Sequence, residues 1–588
     1  MIDILSKLKM KILIPAIAIY WIIALRGTDS YYSNYLCIGW LCILCGFLYD
    51  EIEVKNKRDF FITAVFSFIF SAFVTAANYS IINNDNHIYR NVVMLSILIS
   101  GMIVFFVLLS CSRSLIGKLY RRAYYSEIRG GSHHDSRVFL ITFFVIVTVD
   151  LLILFLSQYP GEVTTDSIIQ MQQIASGIYS NHHPYWHTMI IKACTDLGYA
   201  LFKNINAAVA TYMVFQVVVM ALIEAFANMT LKQLGTRPLT NILFCLFFAA
   251  LPYNVLYSIT MWKDILFGGM ILLFITCLVR IIRNLGSKVV NYIVFFVSCI
   301  GFGLLRSNGW YAFAATTIVF AFVLCKNKRV ILIIMALGLA CTFILKYPVL
   351  KRLGVTQPDL IESLSIPSQQ IARVIADDND LSAEDKQLLD EIIEVDRISE
   401  TYICYISDPI KDLVRQKNNQ QYLSDHMGEY LDLYIKLGIT YPESYIHAFI
   451  DQTRGYYNSG YDYWKWTSEV RKNDLGVVRT DRLPALTQQI VSYANAYPDI
   501  PILNPFISIG LHVWMIIGCL YIGIINRDKD ILMLTIPLLT IVATLLIAAP
   551  VYSEFRYVYS IFTCAYFVIL VTMKFSNESV SSVDVLSK

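Results

Sequence analysis

The sequence predicts an all-α polytopic membrane protein of about fourteen transmembrane helices with a mainly helical external domain, and three observations carry that expectation. Apolar residues make up 56% of the chain and charged residues only 15%, far from the balance of a water-soluble globule. Apolar runs long enough to cross roughly 30 Å of hydrocarbon as helices recur along most of the 588 residues. The ten-residue alternation of a membrane β-barrel is missing, and no repeat of fixed period is visible.

The span centres fall at about residues 18, 42, 68, 101, 148, 216, 248, 272, 297, 317, 338, 513, 540 and 564. Lys7, Lys9 and Lys11 precede the first of them and imitate a secretory signal. No small-residue cleavage site follows, so this segment is expected to stay as the first span. Four spans make an N-terminal region, 1–137. A membrane core, 138–346, carries a large loop at 158–187 and a helix lying along the interface at 187–204. An external helical domain, 347–501, follows, then a three-span region, 502–575, and a short tail, 576–588, expected to be disordered.

Basic residues fix the expected orientation, because they favour cytoplasmic loops. Lys55 to Arg58, Arg113 to Arg137, Lys232 with Arg237, Arg280 to Lys288, Lys326 to Arg329, and Arg527 with Lys529 all fall on one side, as do both termini. That agreement requires 187–204 not to cross. Its pattern fits: Ile190, Cys194, Leu197 and Leu201 share one helical face, Lys192, Asp196 and Lys203 another. The opposite side receives the 158–187 loop, SITMWKD, LLRSNGW, the long polar segment from Lys346 to Pro501, and PVYSEFRY. In the polar segment, Ser382 with Asp385 marks a helix start.

A net charge of +3 gives no basis for binding nucleic acid. The 13 cysteines lie almost all inside apolar runs and form no metal-binding pairs, which fits packing. No metal or other cofactor is predicted. The chemistry gathers in YPGEVTTDSIIQMQQIASGIYSNHHPYWH, residues 159–187. Thr164 or Thr165 can cap a helix that begins near Asp166 and stops at Gly177. Asp166, Gln170 and Gln173 then share a face, and the helix dipole favours an ionised Asp166. Such a carboxylate serves as a general base or simply as part of the cap. His182, His183 and His187 fit phosphate or sugar hydrogen bonding, a metal, or interfacial anchoring beside Tyr185 and Trp186. Lys263, Asp264, Arg306 and Asn308 sit at span mouths. Cations on the external side suit an anionic ligand, although Lys263 can also pair with Asp264. Glu554 and Arg556 form a similar boundary pair, open to mutual neutralisation.

The ordered set YPGxxxxDSxxQ, HHP, WKD, LRSNG, SIPSQQIAR and EFRY resembles the DUF6020 family of bacterial integral membrane proteins. These look like GT-C superfamily glycosyltransferases, similar in architecture to protein O-mannosyltransferases and aminoarabinose transferases. The resemblance runs from about 140 to 557. It implies a GT-C-like helical bundle whose first large external loop carries an acidic catalytic residue. Asp166 matches that position and Glu162 is a second acidic candidate, while the segment after His187 matches the membrane-lying helices. The four preceding spans and the missing adjacent acidic pair depart from the pattern.

The implied activity is transfer of a sugar from a polyprenyl-phosphate carrier to a cell-envelope glycan, lipid or protein, on the outer face of a bacterial cytoplasmic membrane. Asp166 would activate the acceptor hydroxyl with inversion at the anomeric carbon. Lys263, Arg306, Arg556 and His183 would stabilise the leaving phosphate. Gln170 and the aromatic residues Tyr461, Tyr463, Trp464 and Trp466 would meet the acceptor. Three other readings stay open: a polymerase or ligase acting on diphosphate-linked glycans, a lipid or glycan transporter, and a non-catalytic scaffold.

Overall fold

Sequence of this apolar character leaves the backbone no partner but itself, and helix is the outcome almost throughout. The computed structural model describes residues 2–26, 32–47, 54, 56–81, 87–125, 132–323, 329–460, 466–501, 503–548 and 551–586. Among these there is no β-strand, only isolated bridges.

Nine described helices are long and apolar enough to cross a membrane: Lys57–Ala77, Ile88–Ala123, Asp135–Leu156, Ile205–Gln233, Lys263–Ile282, Arg329–Arg352, Ile509–Asn526, Lys529–Ala548 and Phe555–Glu578. A tenth forms if the pair Pro238–Ala250 and Pro252–Ser258 is one broken span, bent by 58°. The break has a plain cause. Pro252 brings no N–H to continue the helix, and Leu251 before it is extended, with φ −73° and ψ 123°. The expected count of fourteen included four further centres, and these fall on apolar helices of 10–17 residues: Met10–Ala24, Tyr32–Phe47, Lys288–Leu304 and Gly309–Phe322. The protein is a multi-pass membrane protein.

The basic loops meet at one end of the bundle. Arg58 donates to the Ile524 carbonyl at 2.7 Å, Arg237 to that of Tyr124 at 2.9 Å, and Arg283 pairs with Glu578 at 2.6 Å. At the other end, Tyr79 donates to Asp451, Ser553 to the Gln452 carbonyl and the Ser407 N–H to the Val551 carbonyl.

The long polar segment divides. Residues from Ile361 to Tyr445 build a core of their own, including Val374, Leu389, Ile410, Leu413 and Leu433. Within it, Ser382 caps the helix Ala383–Asp390 as its sequence predicts. Tyr456, Tyr457, Trp466, Val477, Ala494 and Tyr497 instead pack into the membrane core. The helix Tyr185–Phe202 buries His187, Thr188, Ile191, Thr195 and Gly198, the side that packs on Ile205–Gln233. The predicted apolar face is therefore outward, with Leu197 and Leu201 exposed. The expected disordered tail is helical: Tyr559–Leu586 runs on past 575, with no Gly or Pro to stop it.

Gly161 carries the chain from the Asp135–Leu156 span into the large loop. Its φ is 114°, and a Cβ there would sit 2.6 Å from the Met213 side chain. Gly161→Val is expected to lower stability by about 1–3 kcal/mol through backbone strain and overpacking. Thermal unfolding followed by fluorescence-detected size exclusion would read the loss; an unchanged melting temperature would mean the loop relaxes freely.

Candidate active site

The turn YPGEVT lies between two other segments. The Glu162 N–H donates to the Ile259 carbonyl at 2.9 Å and the Glu162 carbonyl accepts the Met261 N–H at 3.0 Å, while the Val163 N–H donates to the Glu469 carbonyl and the Val163 carbonyl accepts the Arg471 N–H. These bonds place the start of the helix Thr165–Ser176 beside the residues that lead into Lys263–Ile282. Thr164 caps that helix in a box with Ser167, Gly177 ends it at φ 72°, and Asp166 falls in the first turn, as expected. Trp262 donates its indole N–H to the Thr164 hydroxyl at 2.8 Å and ties the two helix starts together.

Asp166 Oδ2 lies 2.8 Å from Arg556 Nη1, 3.3 Å from Lys263 Nζ and 3.9 Å from His183 Nδ1. Burial alone would raise the Asp166 pKa, but Arg556 and Lys263 outweigh it and hold the carboxyl well below its usual range. Lys263 therefore pairs with Asp166 and not with its neighbour Asp264. His183 is buried, and its pKa is pushed down to about 2 by burial and then by Lys263, so the ring is neutral. Lys263 Nζ is 3.2 Å from His183 Nδ1. An ammonium can only donate, so Nδ1 accepts and the ring proton sits on Nε2. That Nε2 is buried with no hydrogen-bond partner among the described residues. His182 is exposed, its ring edge-on to His183 at 4.8 Å.

Beneath this group lies a second layer. Asp264 and Arg306 form a buried ion pair at 3.0 Å, and Arg306 also donates to the Tyr557 carbonyl at 2.8 Å. Glu554 and Arg556 pair at 2.8 Å, so the neutralisation expected of EFRY is present. Burial raises Glu554 and Arg556 opposes it. The Tyr557 ring stands between the two guanidinium groups, 4.9 Å from Arg306 and 5.2 Å from Arg556. Asn308 lies aside from the carboxylates and donates to the Thr544 hydroxyl at 3.0 Å.

Glu162 points elsewhere. It is fully buried, pairs with Arg479 at 2.9 Å and accepts the Glu469 N–H at 2.5 Å. Burial raises it to about 7 despite Arg479. Gln170, an expected acceptor contact, is also buried and committed. It donates to Thr188 at 2.8 Å and bonds His187; His187 Nε2 meets the Tyr212 hydroxyl at 2.8 Å, which donates to Gln216 at 2.8 Å. Gln216 closes the chain on the carbonyls of Ser258 and Thr260, each at 2.8 Å. This network was not visible in the sequence, since its members are polar residues spread over three helices and a turn. Tyr461, Tyr463 and Trp464 lie outside the described residues, and Trp466 is buried in the membrane core.

Two buried carboxylates inside spans escaped the sequence reading. Asp150, beside the Ser258 hydroxyl, and Glu224 are 2% and 4% exposed. Their signal was available, as each stands alone in an apolar run. Among the described residues no group of three or more His, Cys, Asp or Glu could hold a metal ion.

The model of a family of unknown function, DUF6020, matches residues 173–585. No curated protein and no solved structure matches the chain.

His187 makes a pH prediction. Burial lowers its pKa to about 3 from an unfolded value near 6.5, so the unfolded chain binds the extra proton. Its contribution to stability is complete above about pH 6.5 and is lost as pH falls toward 3, by about 1.4 kcal/mol per unit. The melting-temperature gap between wild type and His187→Gln should therefore narrow between pH 7 and pH 5. A constant gap would show that His187 does not stay neutral.

Proposed function

We propose that this chain, which belongs to the DUF6020 family, is a membrane glycosyltransferase of GT-C type that moves a sugar from a polyprenyl-phosphate donor to a cell-envelope acceptor at the external face of a bacterial cytoplasmic membrane. The observation that carries the reading is the meeting of Asp166, His183, Lys263 and Arg556, four groups from three separate stretches of the chain, at one point. A carboxylate beside two cations and a neutral imidazole donor suits a reaction in which a hydroxyl loses a proton and a phosphate gains charge.

In the free site Asp166 is a weak base, because Lys263 and Arg556 stabilise its charge. A donor phosphate entering between those cations competes for them and raises the proton affinity of Asp166. The acceptor oxygen then attacks the anomeric carbon from the face opposite the phosphate. Its proton passes to Asp166, the new oxygen–carbon bond forms, and the bond to the phosphate oxygen breaks with inversion. The electron pair leaves on polyprenyl phosphate, held by Lys263, Arg556 and the His183 Nε2 proton. Asp264, Arg306 and Glu554 position the cations without touching substrate. Glu162 and Gln170 hold the loop and the helix that carry Asp166.

One observation favours a second reading, a polymerase or ligase acting on diphosphate-linked glycans. Asp166 is so well neutralised that it serves simply to hold Lys263 and Arg556 in place for a diphosphate. The two readings separate in cells producing wild type, no protein, or Asp166→Asn at matched membrane abundance, with lipid-linked sugars and surface glycans compared by mass spectrometry. The transferase reading expects the variant to match the deletion, losing one sugar modification while a lipid-linked sugar accumulates. Lys263→Ala should also slow transfer by about a hundredfold or more. An Asp166→Asn strain that matches wild type where the deletion has a glycan defect would sink the base role and favour the ligase.

A further inference from the structure

A second lipid contact lies away from the Asp166 group. A groove of about 680 Å³ runs along the bundle between the end of Ile88–Ala123, the helix Pro238–Ala250, the residues Tyr493, Tyr497, Leu503 and Phe506, and Phe555–Glu578. Its walls are almost wholly apolar. Leu239, Leu243 and Leu246, all well exposed, form one bank, and Tyr566, Ile569 and Leu570 stand opposite. From Leu239 to Ala250 the first bank rises about 17 Å at 1.5 Å per residue, more than half the depth of the hydrocarbon layer. The groove is of the size of sites that enclose organic ligands.

Its charge is one-sided. Arg122 is the one charged residue of the lining, and it stands at the end where the basic loops meet. It is exposed, with no hydrogen-bond or ion-pair partner among the described residues. Three basic residues nearby are engaged elsewhere, Arg237 with the Tyr124 carbonyl, Lys232 with the Tyr125 ring and Lys574 with Glu578, and the adjacent Arg121 is not part of the lining. At the other end the groove closes on Tyr493, Tyr497 and Phe506, with no charge.

Nor does the groove open to the Asp166 group. Tyr253 packs on Tyr497 and on Phe555, Tyr257 packs on Phe555 and Trp262, and Arg556 lies behind the Trp262 ring. A lipid whose phosphate sat on Lys263 could not lay its chain here without breaching that aromatic wall.

We infer that this groove binds an anionic glycerophospholipid of the leaflet at the basic end, its phosphate on Arg122 and an acyl chain along Leu239, Leu243 and Leu246. A basic residue at the mouth of an interhelical groove is the arrangement that selects anionic headgroups. The inference does not rest on the transferase reading.

The purified full-length chain in detergent would be titrated with phosphatidylglycerol and with phosphatidylethanolamine of identical chains, and bound lipid counted by native mass spectrometry. Wild type should retain one phosphatidylglycerol about fivefold more tightly than phosphatidylethanolamine, the effect of one basic residue on an anionic lipid. Arg122→Gln should abolish that preference, and Leu243→Trp, filling the groove from its exposed bank, should release both lipids. Unchanged size-exclusion profiles and melting temperatures in both variants would establish that the fold is intact. Equal binding of the two lipids by wild type, or a preference that survives Arg122→Gln, would overturn the assignment. So would tighter binding of polyprenyl phosphate than of phosphatidylglycerol in a Leu243-dependent manner.

Discussion

A carboxylate partly withdrawn from bulk water at the end of an apolar bundle must find cations, and one end of this bundle is organised around how Asp166 finds them. Its partners, Lys263 and Arg556, come from positions 97 and 390 residues further along the chain. Behind them, Asp264 holds Arg306 and Glu554 holds Arg556. Three carboxylates thus face three cations, and the cluster is balanced before any ligand arrives. Under the proposed function that balance makes the site responsive: an anion enters by taking cations from Asp166, which couples its binding to the proton affinity of that carboxylate. The deeper pair, Asp264 with Arg306, is nearly inaccessible, and breaking a pair so buried costs about 3–5 kcal/mol. It frames the cluster from beneath.

The frame has a second component in the polar chain from Gln170 through His187, Tyr212 and Gln216 to the carbonyls of Ser258 and Thr260. Every member is buried, so each hydrogen bond is worth more than its exposed counterpart and each loss leaves an orphan. The chain starts one helical turn after Asp166 and ends a few residues before Lys263. Both groups are thereby referred to the same rigid object. The extended pairing of Glu162 and Val163 with 259–261 and 469–471 acts in the same sense, and Arg479 locks it from outside.

Local rules could see part of this. The cap at Thr164, the stop at Gly177, the cap at Ser382 and the placing of charged residues at span mouths follow from short-range chemistry, and they were legible. Partner choice was not. Lys263 and Asp264 are adjacent, which suggests mutual pairing, yet successive residues of a helix point in different directions. Asp264 turns inward to Arg306, and Lys263 turns to a residue almost a hundred positions earlier. Gln170 looked available on a polar helical face because its burial depends on His187 and Thr188, which belong to another helix. Asp150 and Glu224 are the opposite case, each a lone carboxylate in an apolar run and therefore legible from the sequence.

The aromatic wall of Tyr253, Tyr257, Phe555 and Trp262 sets how lipids can be used here. It stands on the break at Leu251, where Pro252 turns the helix by 58° and brings the two tyrosines across the bundle. One side of the wall faces a groove whose charge lies at its far end. The other faces Arg556 and, through it, Asp166. Under the proposed transferase function, a lipid-linked donor at Asp166 brings its chain in by a route other than the groove. On the inference drawn above, a phospholipid in the groove would brace Pro238–Ala250 from one side of the aromatic layer without reaching the Asp166 cluster on the other. The bend at Leu251 then links the two: whatever fixes the first half of the broken helix also fixes the turn that presents Trp262 and Lys263.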